Sequence, residues 1–228
     1  MDSVAAYGDA LGVVTAAPVP DAFLTSLSAA TVRPLRVVAV GGGAVGGAGP
    51  ERDGVQTVRV SEQLARAAAV NRGVVALPPG VGWVVVADPQ VRWGAAAIDT
   101  LLAAAARHPR AGALGARLRR AGGGVLACAG AVPGRRDLLR GRVPLGAPRS
   151  TGRVGWVSAT CMLLRRTALD SVDGLDPRHL GPVDGVDLGD RLGRAGWLVL
   201  HVPSAEVVVE AGGTLLESAR AGLRSFAR

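Results

Sequence analysis

The fold is decided by the stretch W-V-V-V-A-D-P-Q at residues 83–90. Its five apolar residues predict a buried strand, and Asp88 follows at the point where the strand ends. A continuous apolar run is typical of strands that are covered on both faces, as in a parallel sheet between helices. Ligands bind beyond the carboxyl ends of such strands, so Asp88 is the first candidate for a binding side chain. An aspartate before a proline also caps turns, and this structural role stays open.

Short β-branched runs alternate with helical windows on both sides of this strand, which predicts an α/β domain. We expect further strands at residues 11–15, 35–40, 55–60, 113–118, 156–164, 197–202 and 206–210, and helices at 20–30, 95–108 and 184–195. Another helix is expected after Ser61, a residue type that caps helices. Its apolar face is predicted to run through Leu64, Ala68, Asn71 and Val75.

The composition indicates a folded domain. Of the 228 residues 49% are hydrophobic, and the 33 glycines and 14 prolines stay below the fraction that is typical of low-complexity chains. Cys128 and Cys161 are too few for a disulfide framework and are predicted to be reduced core residues. No apolar run reaches the roughly 20 uninterrupted residues of a membrane helix. No arginine precedes Arg33, so a signal peptide would lack its basic region, and we expect a cytoplasmic protein.

The positive charge is confined to one segment. The chain has 26 basic residues, all of them arginines, and 18 acidic residues, for a net charge of +8. Residues 117–153 carry nine of the arginines and a single acid, Asp137, so this segment holds the whole excess. A general polyanion binder spreads its charge over a face built from many segments. Because the few aromatic residues are expected in the core, they offer no stacking platform and nucleic acid is not an expected partner.

A glycine-rich stretch, G-G-G-A-V-G at residues 41–46, matches the pattern G-x-G-x-x-G after a predicted strand. In the dinucleotide-binding fingerprint these glycines open a helix whose N-terminus holds a pyrophosphate. Here Gly47, Gly49 and Pro50 follow and leave no room for a helix before the strand at residue 55. We therefore interpret residues 41–50 as a loop.

Four blocks, in this order and spacing, resemble the family 2 glycosyltransferases, and among them the cell-wall rhamnosyltransferases. They are W-V-V-V-A-D-P-Q-V-R-W-G (83–94), R-H-P-R-A-G-A-L-G (107–115), V-G-W-V-S-A-T-C-M-L-L-R-R (154–166) and D-G-L-D…V-D-L-G-D-R-L-G-R-A-G-W…V-P-S-A-E-V (173–207). The resemblance covers residues 13–208 and implies a GT-A-like fold, an α/β architecture with a mixed sheet flanked by helices. It further implies one domain at 1–210, with a donor half (1–116), the basic segment (117–153) and an acceptor half (154–210). The amphipathic pattern of residues 211–228 predicts a tail helix after this domain.

The resemblance also implies a chemistry, which is inverting transfer from a nucleotide-sugar to an acceptor hydroxyl. One carboxylate holds Mg²⁺ or Mn²⁺ at the donor diphosphate, and a second takes the proton of the acceptor hydroxyl. This sequence departs from the family motifs at four places. Glycines at 41–43 replace the nucleoside-binding D-N-G-S loop, and Asp88-Pro89-Gln90 stands at the metal motif N-P-D. Asp184-Gly185 stands at the E-D pair of the base, and Val209-Glu210 at a late histidine.

Residue roles follow position by position from this resemblance. Asp184 is the candidate catalytic carboxylate, one residue before the position of the family's base, and Asp88 is the candidate metal ligand if a metal is held. The candidate donor-binding residues are Thr15, Asn71, Arg72, Asp88 and Gln90.

Some of these residues have a structural alternative. Asn71 could equally satisfy backbone groups at a helix end, and Asp187 and Arg191 are expected to form a pair on a helix surface. Arg92 or Arg165 could neutralise a diphosphate without metal.

The basic segment lies, by this resemblance, between the two halves. Acceptors in the family are often sugars linked to polyprenyl diphosphate, so four arginines are candidates for contact with such an acceptor or with an anionic membrane surface: Arg135, Arg136, Arg140 and Arg142. A solvated loop in a protein from a G+C-rich genome explains the segment equally well. Two functions remain open, a transferase at the inner membrane face that transfers a sugar such as rhamnose, and a catalytically inactive relative that binds or scaffolds a partner.

Overall fold

The computed structural model describes residues 10–42, 54–60, 64–134, 136–137, 146, 148–178 and 183–210. Its strands are β1 (Leu11–Ala16), β2 (Leu35–Gly42), β3 (Val55–Val60), β4 (Trp83–Ala87), β5 (Val91–Trp93), β6 (Ala111–Arg120), β7 (Ala129–Gly130), β8 (Gly152–Val154), β9 (Trp156–Val157), β10 (Cys161–Arg165) and β11 (Leu198–Val209). Within the described residues they form a nine-stranded sheet of order β3-β2-β1-β4-β10-β6-β11-β5, with β8 on β11, and a small sheet of β7 and β9.

The helices cover both faces of the large sheet. They are α1 (Asp21–Ala29), α2 (Arg66–Ala76), α3 (Ala97–Arg107), α4 (Arg166–Asp170) and α5 (Val183–Arg194). Buried residues of α1 and α3 belong to one hydrophobic cluster, and those of α2, α4 and α5 belong to a second cluster. The sheet separates the two clusters, because Val85 faces the first while Val84 and Val86 face the second. Strand β4 is therefore buried on both sides, as its continuous apolar run predicts.

The predicted α/β fold with a mixed sheet is confirmed. Strands β1, β2, β3 and β4 run parallel, β10 runs antiparallel between β4 and β6, and β11 runs parallel to β6. The segments expected at 197–202 and 206–210 are one strand, β11, whose register against β6 shifts between Val202 and Glu206. The single strand expected at 156–164 is instead divided into β9 and β10.

The predicted face of α2 is wrong. The helix begins at Arg66, and it buries Ala67, Val70 and Val74, while Val75 is 76% exposed. The expected cap, Ser61, lies outside the described residues, as do the glycines at 43–50 and the predicted tail helix at 211–228.

The strand register brings the ends of several strands together along one side of the sheet. Val14 of β1 pairs with Val86 of β4, and Cys161, the first residue of β10, pairs with Ala87. The carboxyl ends of β1 and β4 therefore meet the start of β10, and we call this line the carboxyl edge. No helix in the described part of the chain has the length and apolar character needed to cross a bilayer.

Candidate functional site

Arg66 joins two aspartates at the carboxyl edge. Its Nε and Nη2 donate hydrogen bonds to Oδ1 of Asp88 over 3.1 and 3.0 Å. Nη2 also donates to the carbonyl oxygen of Ala159, and Nη1 lies 3.7 Å from Oδ2 of Asp184. We call Asp88, Arg66 and Asp184 the carboxylate–arginine cluster.

Three different elements position the members of this cluster. Asp88 follows β4, and its backbone N–H donates to the carbonyl oxygen of Thr160 over 2.9 Å, which continues the pairing of β4 with β10. Arg66 is the first residue of α2. Asp184 lies in the first turn of α5, where the helix dipole favours a negative charge.

The two aspartates differ in their access to solvent. The side chain of Asp88 is 39% exposed and that of Arg66 27%, whereas that of Asp184 is 0% exposed. A ligand can therefore reach Asp88 directly. A general base must come within hydrogen-bond reach of the hydroxyl it deprotonates. In this conformation the side chain of Asp184 is buried beside Arg66. Its predicted catalytic role stays a prediction.

A close backbone approach explains the glycine that follows Asp184. A Cβ atom at Gly185 would lie 2.2 Å from the carbonyl oxygen of Val157, and one at Gly189 would lie 2.3 Å from that of Gly155. Helix α5 thus rests directly on the backbone of residues 155–157. The side chain that the family carries at position 185 does not fit here.

The side-chain amide of Asn71 is hydrogen-bonded to the backbone of a loop that is distant in sequence. Its Nδ2 donates to the carbonyl oxygen of Leu175 over 2.7 Å, and the N–H of Leu175 donates to its Oδ1 over 2.9 Å. The observed contacts of Asn71 are therefore those of its structural alternative, in which the amide satisfies backbone groups. It lies five residues beyond Arg66, about 7–8 Å further along the helix axis.

Arg191 of α5 holds the same loop. Its Nη1 donates to the carbonyl oxygens of Val172 and Gly174 over 2.6 and 2.8 Å. Its Nε donates to Oδ2 of Asp187 over 2.8 Å, which confirms the predicted pair, although both side chains are largely buried rather than on the helix surface. The loop therefore ties α2 to α5, and with them Arg66 to Asp184.

The other candidate donor residues lie around the cluster. Thr15 is 4% exposed and is the next-to-last residue of β1, one position beyond Val14, which pairs with Val86 near the end of β4. Gln90 is exposed, and its carbonyl oxygen accepts the N–H of Glu210 over 3.0 Å. Arg72 is exposed on α2. Their donor-binding roles stay predictions.

Of the two arginines that are expected to replace a metal, Arg92 lies near the carboxyl edge and Arg165 does not. Arg92 is near the site, where its Nη2 lies 2.6 Å from Oε2 of Glu210. Arg165 pairs in register with Trp83, the first residue of β4, and its guanidinium stacks 4.3 Å from that indole ring. That position is four residues from Ala87, about 13 Å along the strand. Arg165 is therefore not a candidate for the diphosphate, and that prediction is wrong.

The residues at the carboxyl edge do not fit a divalent metal ion. Mg²⁺ and Mn²⁺ need several oxygen ligands, and they are held by carboxylates that face the ion. In the described part of the chain no three or more histidine, cysteine, aspartate or glutamate side chains cluster as metal ligands would. Oδ1 of Asp88 already accepts two N–H groups of Arg66, and Glu210, at the position of the family's histidine, is paired with Arg92.

Neither cysteine contributes chemistry to the site. Cys128 and Cys161 are free and buried, as predicted. Burial raises the pKa of both thiols, and the nearby charge of Asp88 raises that of Cys161 further. Both thiols are therefore protonated at neutral pH and are poor nucleophiles.

The basic segment is described only in part. Arg136 is exposed, whereas Arg135, Arg140 and Arg142 lie outside the described residues. Arg117 and Arg119 lie 3.0 and 3.5 Å from the carboxylate of Glu206. Strand β7 pairs with β9 beside α5, and a cleft of about 640 Å³ opens there; its lining includes Val132, Arg153, Arg194 and Trp197.

Arg66 is the residue that sequence reasoning misses. In the sequence it is an isolated arginine among alanines, and it matches none of the blocks that carry the resemblance. Only the start of α2 at this residue brings its side chain to Asp88.

Comparison with known proteins identifies similar sequences and folds. The family described as "Glycosyltransferase like family 2" matches residues 45–226. N-acetylglucosaminyl-diphospho-decaprenol L-rhamnosyltransferase of Mycobacterium tuberculosis, from strains CDC 1551 / Oshkosh and ATCC 25618 / H37Rv, is 40% identical, over 86% of this chain and 73% of the relative. A crystal structure of GalNAc-T7 with UDP, GalNAc and Mn²⁺ superposes with a TM-score of 0.67 at 14% identity. This chain matches it over 89% of its own length and spans 44% of that chain, and the likeness confirms the GT-A-like fold.

Proposed function

The chain belongs to the family 2 glycosyltransferases, and from that premise we propose that it transfers rhamnose from a nucleotide-sugar to a polyprenyl-diphosphate-linked acceptor. The observation that carries this proposal is the carboxylate–arginine cluster, which lies at the carboxyl edge where sheets of this class bind ligands. The acceptor class is taken from the mycobacterial relative, whose name includes N-acetylglucosaminyl-diphospho-decaprenol.

The cluster supplies groups for both halves of the reaction. Oδ2 of Asp88 accepts no hydrogen bond from the described residues and is open to a donor hydroxyl. The Arg66 guanidinium places a positive charge beside the departing diphosphate. Asp184 is the proposed proton acceptor, and a shift of the start of α5 must bring it to the acceptor hydroxyl because its side chain is buried here.

The basic segment is the proposed contact with the acceptor. Its anchoring strand β7 lies beside β9 and α5, close to Asp184. Exposed arginines at this place suit the diphosphate of a lipid-linked sugar or the anionic surface that surrounds it. The protein would then act in the cytoplasm, as a peripheral protein at the inner membrane face.

Binding and transfer are tested separately. We expect dTDP-rhamnose to bind by calorimetry more tightly than UDP- or GDP-sugars, and to react with a polyprenyl-diphosphate-linked N-acetylglucosamine. Loss of a general base costs about 10²–10⁴ in rate, so Asp184→Ala should lower transfer by that factor with little change in donor affinity. Asp88→Ala should weaken donor binding. Absence of binding by any nucleotide-sugar would refute the proposed transferase.

An inactive relative that binds or scaffolds a partner is the second candidate. It is favoured by one observation, the full burial of Asp184 beside a glycine whose space is closed by the backbone. Donor binding without transfer to any lipid-linked acceptor, and with no effect of Asp184→Ala, would distinguish this function from the first.

A further inference from the structure

The acidic side chains at the carboxyl edge are each matched by arginine. Asp88 and Asp184 face Arg66, Glu210 pairs with Arg92, and Glu206 pairs with Arg117 and Arg119. Four carboxylates thus meet four guanidinium groups along the ends of β4, β6 and β11. Arginine side chains of the protein itself therefore balance the negative charge of these carboxylates.

We propose that Arg66 is the resident cation of this site, that it excludes divalent metal, and that the chain binds its nucleotide donor without metal. The part of this inference that concerns the donor rests on the proposed function. The part that concerns the metal rests on the carboxylate–arginine cluster alone.

The placement of Arg66 shows that the carboxylates hold it in position. A cation in the first turn of a helix is opposed by the helix dipole, so a free arginine side chain would not be favoured there. Two hydrogen-bond acceptors, Asp88 and the carbonyl oxygen of Ala159, offset this cost together with the nearby negative charge of Asp184.

A divalent ion shared by Asp88 and Asp184 would have to displace this arrangement. The Arg66 guanidinium donates two hydrogen bonds to Oδ1 of Asp88 and lies 3.7 Å from Oδ2 of Asp184, so it fills the position that an ion shared by the two aspartates would take. An ion at that point would lie against the positive guanidinium, and like charges at contact distance repel strongly in a partly buried site. The ion could bind only if Arg66 moved away.

Arg66 also remains available to a phosphate group. Nη1 is buried and lies 3.7 Å from Asp184, and it carries no hydrogen bond to the described residues. A small movement of the side chain, which is 27% exposed, would present this nitrogen to a diphosphate. An arginine binds phosphate oxygens through charge-assisted hydrogen bonds without any metal.

The test is a manganese titration followed by electron paramagnetic resonance, with the full-length protein and no nucleotide. We expect the wild type to leave the signal of free Mn²⁺ unchanged. Arg66→Gln removes the cation from between the carboxylates of Asp88 and Asp184, so this variant should gain a Mn²⁺ site made of these two carboxylates and water, and Arg66→Gln with Asp88→Asn should lose it again. Arg66→Lys keeps the charge and should bind no Mn²⁺.

Calorimetry with dTDP-rhamnose tests the donor part of the proposal. The wild-type Kd should agree within twofold in EDTA and in Mn²⁺, and Arg66→Gln should weaken binding at least tenfold in EDTA. Arg107→Gln removes a similar exposed charge from α3 and is the matched control, with affinity and Mn²⁺ binding unchanged. Thermal denaturation of each variant establishes that it is folded.

The outcomes separate the two proposals. Binding of Mn²⁺ by the wild type that Asp88→Asn abolishes, or a donor Kd that improves tenfold or more with Mn²⁺, would overturn the role of Arg66. If no nucleotide-sugar binds under any condition, the proposed function fails, while the manganese titration still decides whether Arg66 excludes the metal. If Arg66→Gln does not fold, the wild type and Arg66→Lys give that decision.

Discussion

Asn71 connects two distant parts of the chain through a single amide group. Both of its polar atoms bond to the backbone of Leu175. Asn71→Ala leaves a donor and an acceptor of that backbone without their partner. We therefore expect the free energy of unfolding to fall by about 1–3 kcal/mol. Urea denaturation measures this change. Arg72→Ala, at the next and exposed position of α2, is the control and should change stability by less than about 0.5 kcal/mol.

The Asn71→Ala variant also addresses the donor-binding role of Asn71. If the side chain acts only by holding the loop, Asn71→Ala should alter donor affinity no more than it alters the folded fraction. A loss of affinity in fully folded Asn71→Ala would show that the amide also contacts the donor.

Two glycines of α5 give a matched pair of substitutions. Gly185→Ala would place a Cβ 2.2 Å from the carbonyl oxygen of Val157, so the helix must move, at a cost of about 1–3 kcal/mol. Gly193→Ala meets no atom within 4 Å and should stabilise the helix by roughly 0.5–1 kcal/mol. Thermal unfolding of the two variants should therefore shift in opposite directions. Equal shifts would contradict the close packing of α5 on residues 155–157.

His201 makes stability depend on pH. It is 0% exposed in β11, and burial, together with the positive charge of Arg117, lowers its pKa below the usual 6.5. The unfolded chain therefore binds a proton more readily than the folded chain, so stability is full above pH 6.5 and falls as the pH is lowered toward the folded pKa. Urea denaturation between pH 7.5 and 5.5 should show this decrease.

Variants assign this pH dependence to one residue. His201→Gln should flatten the slope of stability against pH in this window, whatever its effect on the absolute stability. His108→Gln leaves His201 in place and should keep the slope. An unchanged slope in His201→Gln would assign the dependence to other groups.

At the scale of elements, strands are predicted well and helix faces less well. The run at residues 83–87 is apolar throughout, so its length, its burial and the position of Asp88 after it follow from the sequence alone. The segment at 65–69 contains four alanines around Arg66, and alanine is tolerated on either face of a helix. The sequence therefore does not determine which side of α2 is buried. Because the predicted face of this helix is wrong, Arg66 is not among the predicted site residues.

Short elements depend on contacts that the sequence does not display. Strand β5 is three residues long and exists because it pairs with residues 207–209 of β11. The pairing of Glu210 with Arg92 follows from that register, over more than 100 residues of sequence. Motif comparison places the missing histidine at Val209-Glu210, whereas the pairing of Glu210 with Arg92 is known only from the fold.

The charge of the whole molecule is divided between residues 117–153, which carry the positive excess, and a remainder without net charge. Ion pairs join many arginines of the described sheet and helices to acids, among them Arg66, Arg92, Arg166, Arg191 and Arg194. The net +8 is carried by residues 117–153, where nine arginines accompany only Asp137. Exposed ion pairs add little to stability, so their effect outside residues 117–153 is to balance charge.

Binding to anionic vesicles tests this division. Each arginine near an anionic surface contributes about 1 kcal/mol, so a variant with four of them changed to alanine should bind at least tenfold more weakly to vesicles of phosphatidylglycerol and phosphatidylcholine. The four are Arg135, Arg136, Arg140 and Arg142. Sedimentation of the vesicles measures the bound fraction, and binding of the wild type should weaken between 50 and 300 mM salt, roughly a Debye length of 14 and 6 Å.

A second variant separates local from total charge. It changes four arginines outside the basic segment to alanine and has the same net charge as the first: Arg33, Arg36, Arg72 and Arg107. If the segment itself contacts the membrane, this control should bind nearly as well as the wild type, because charges elsewhere on the molecule are screened from the surface by salt. Equal losses in the two variants would mean that the vesicles respond to net charge, and the segment would then be a solvated loop.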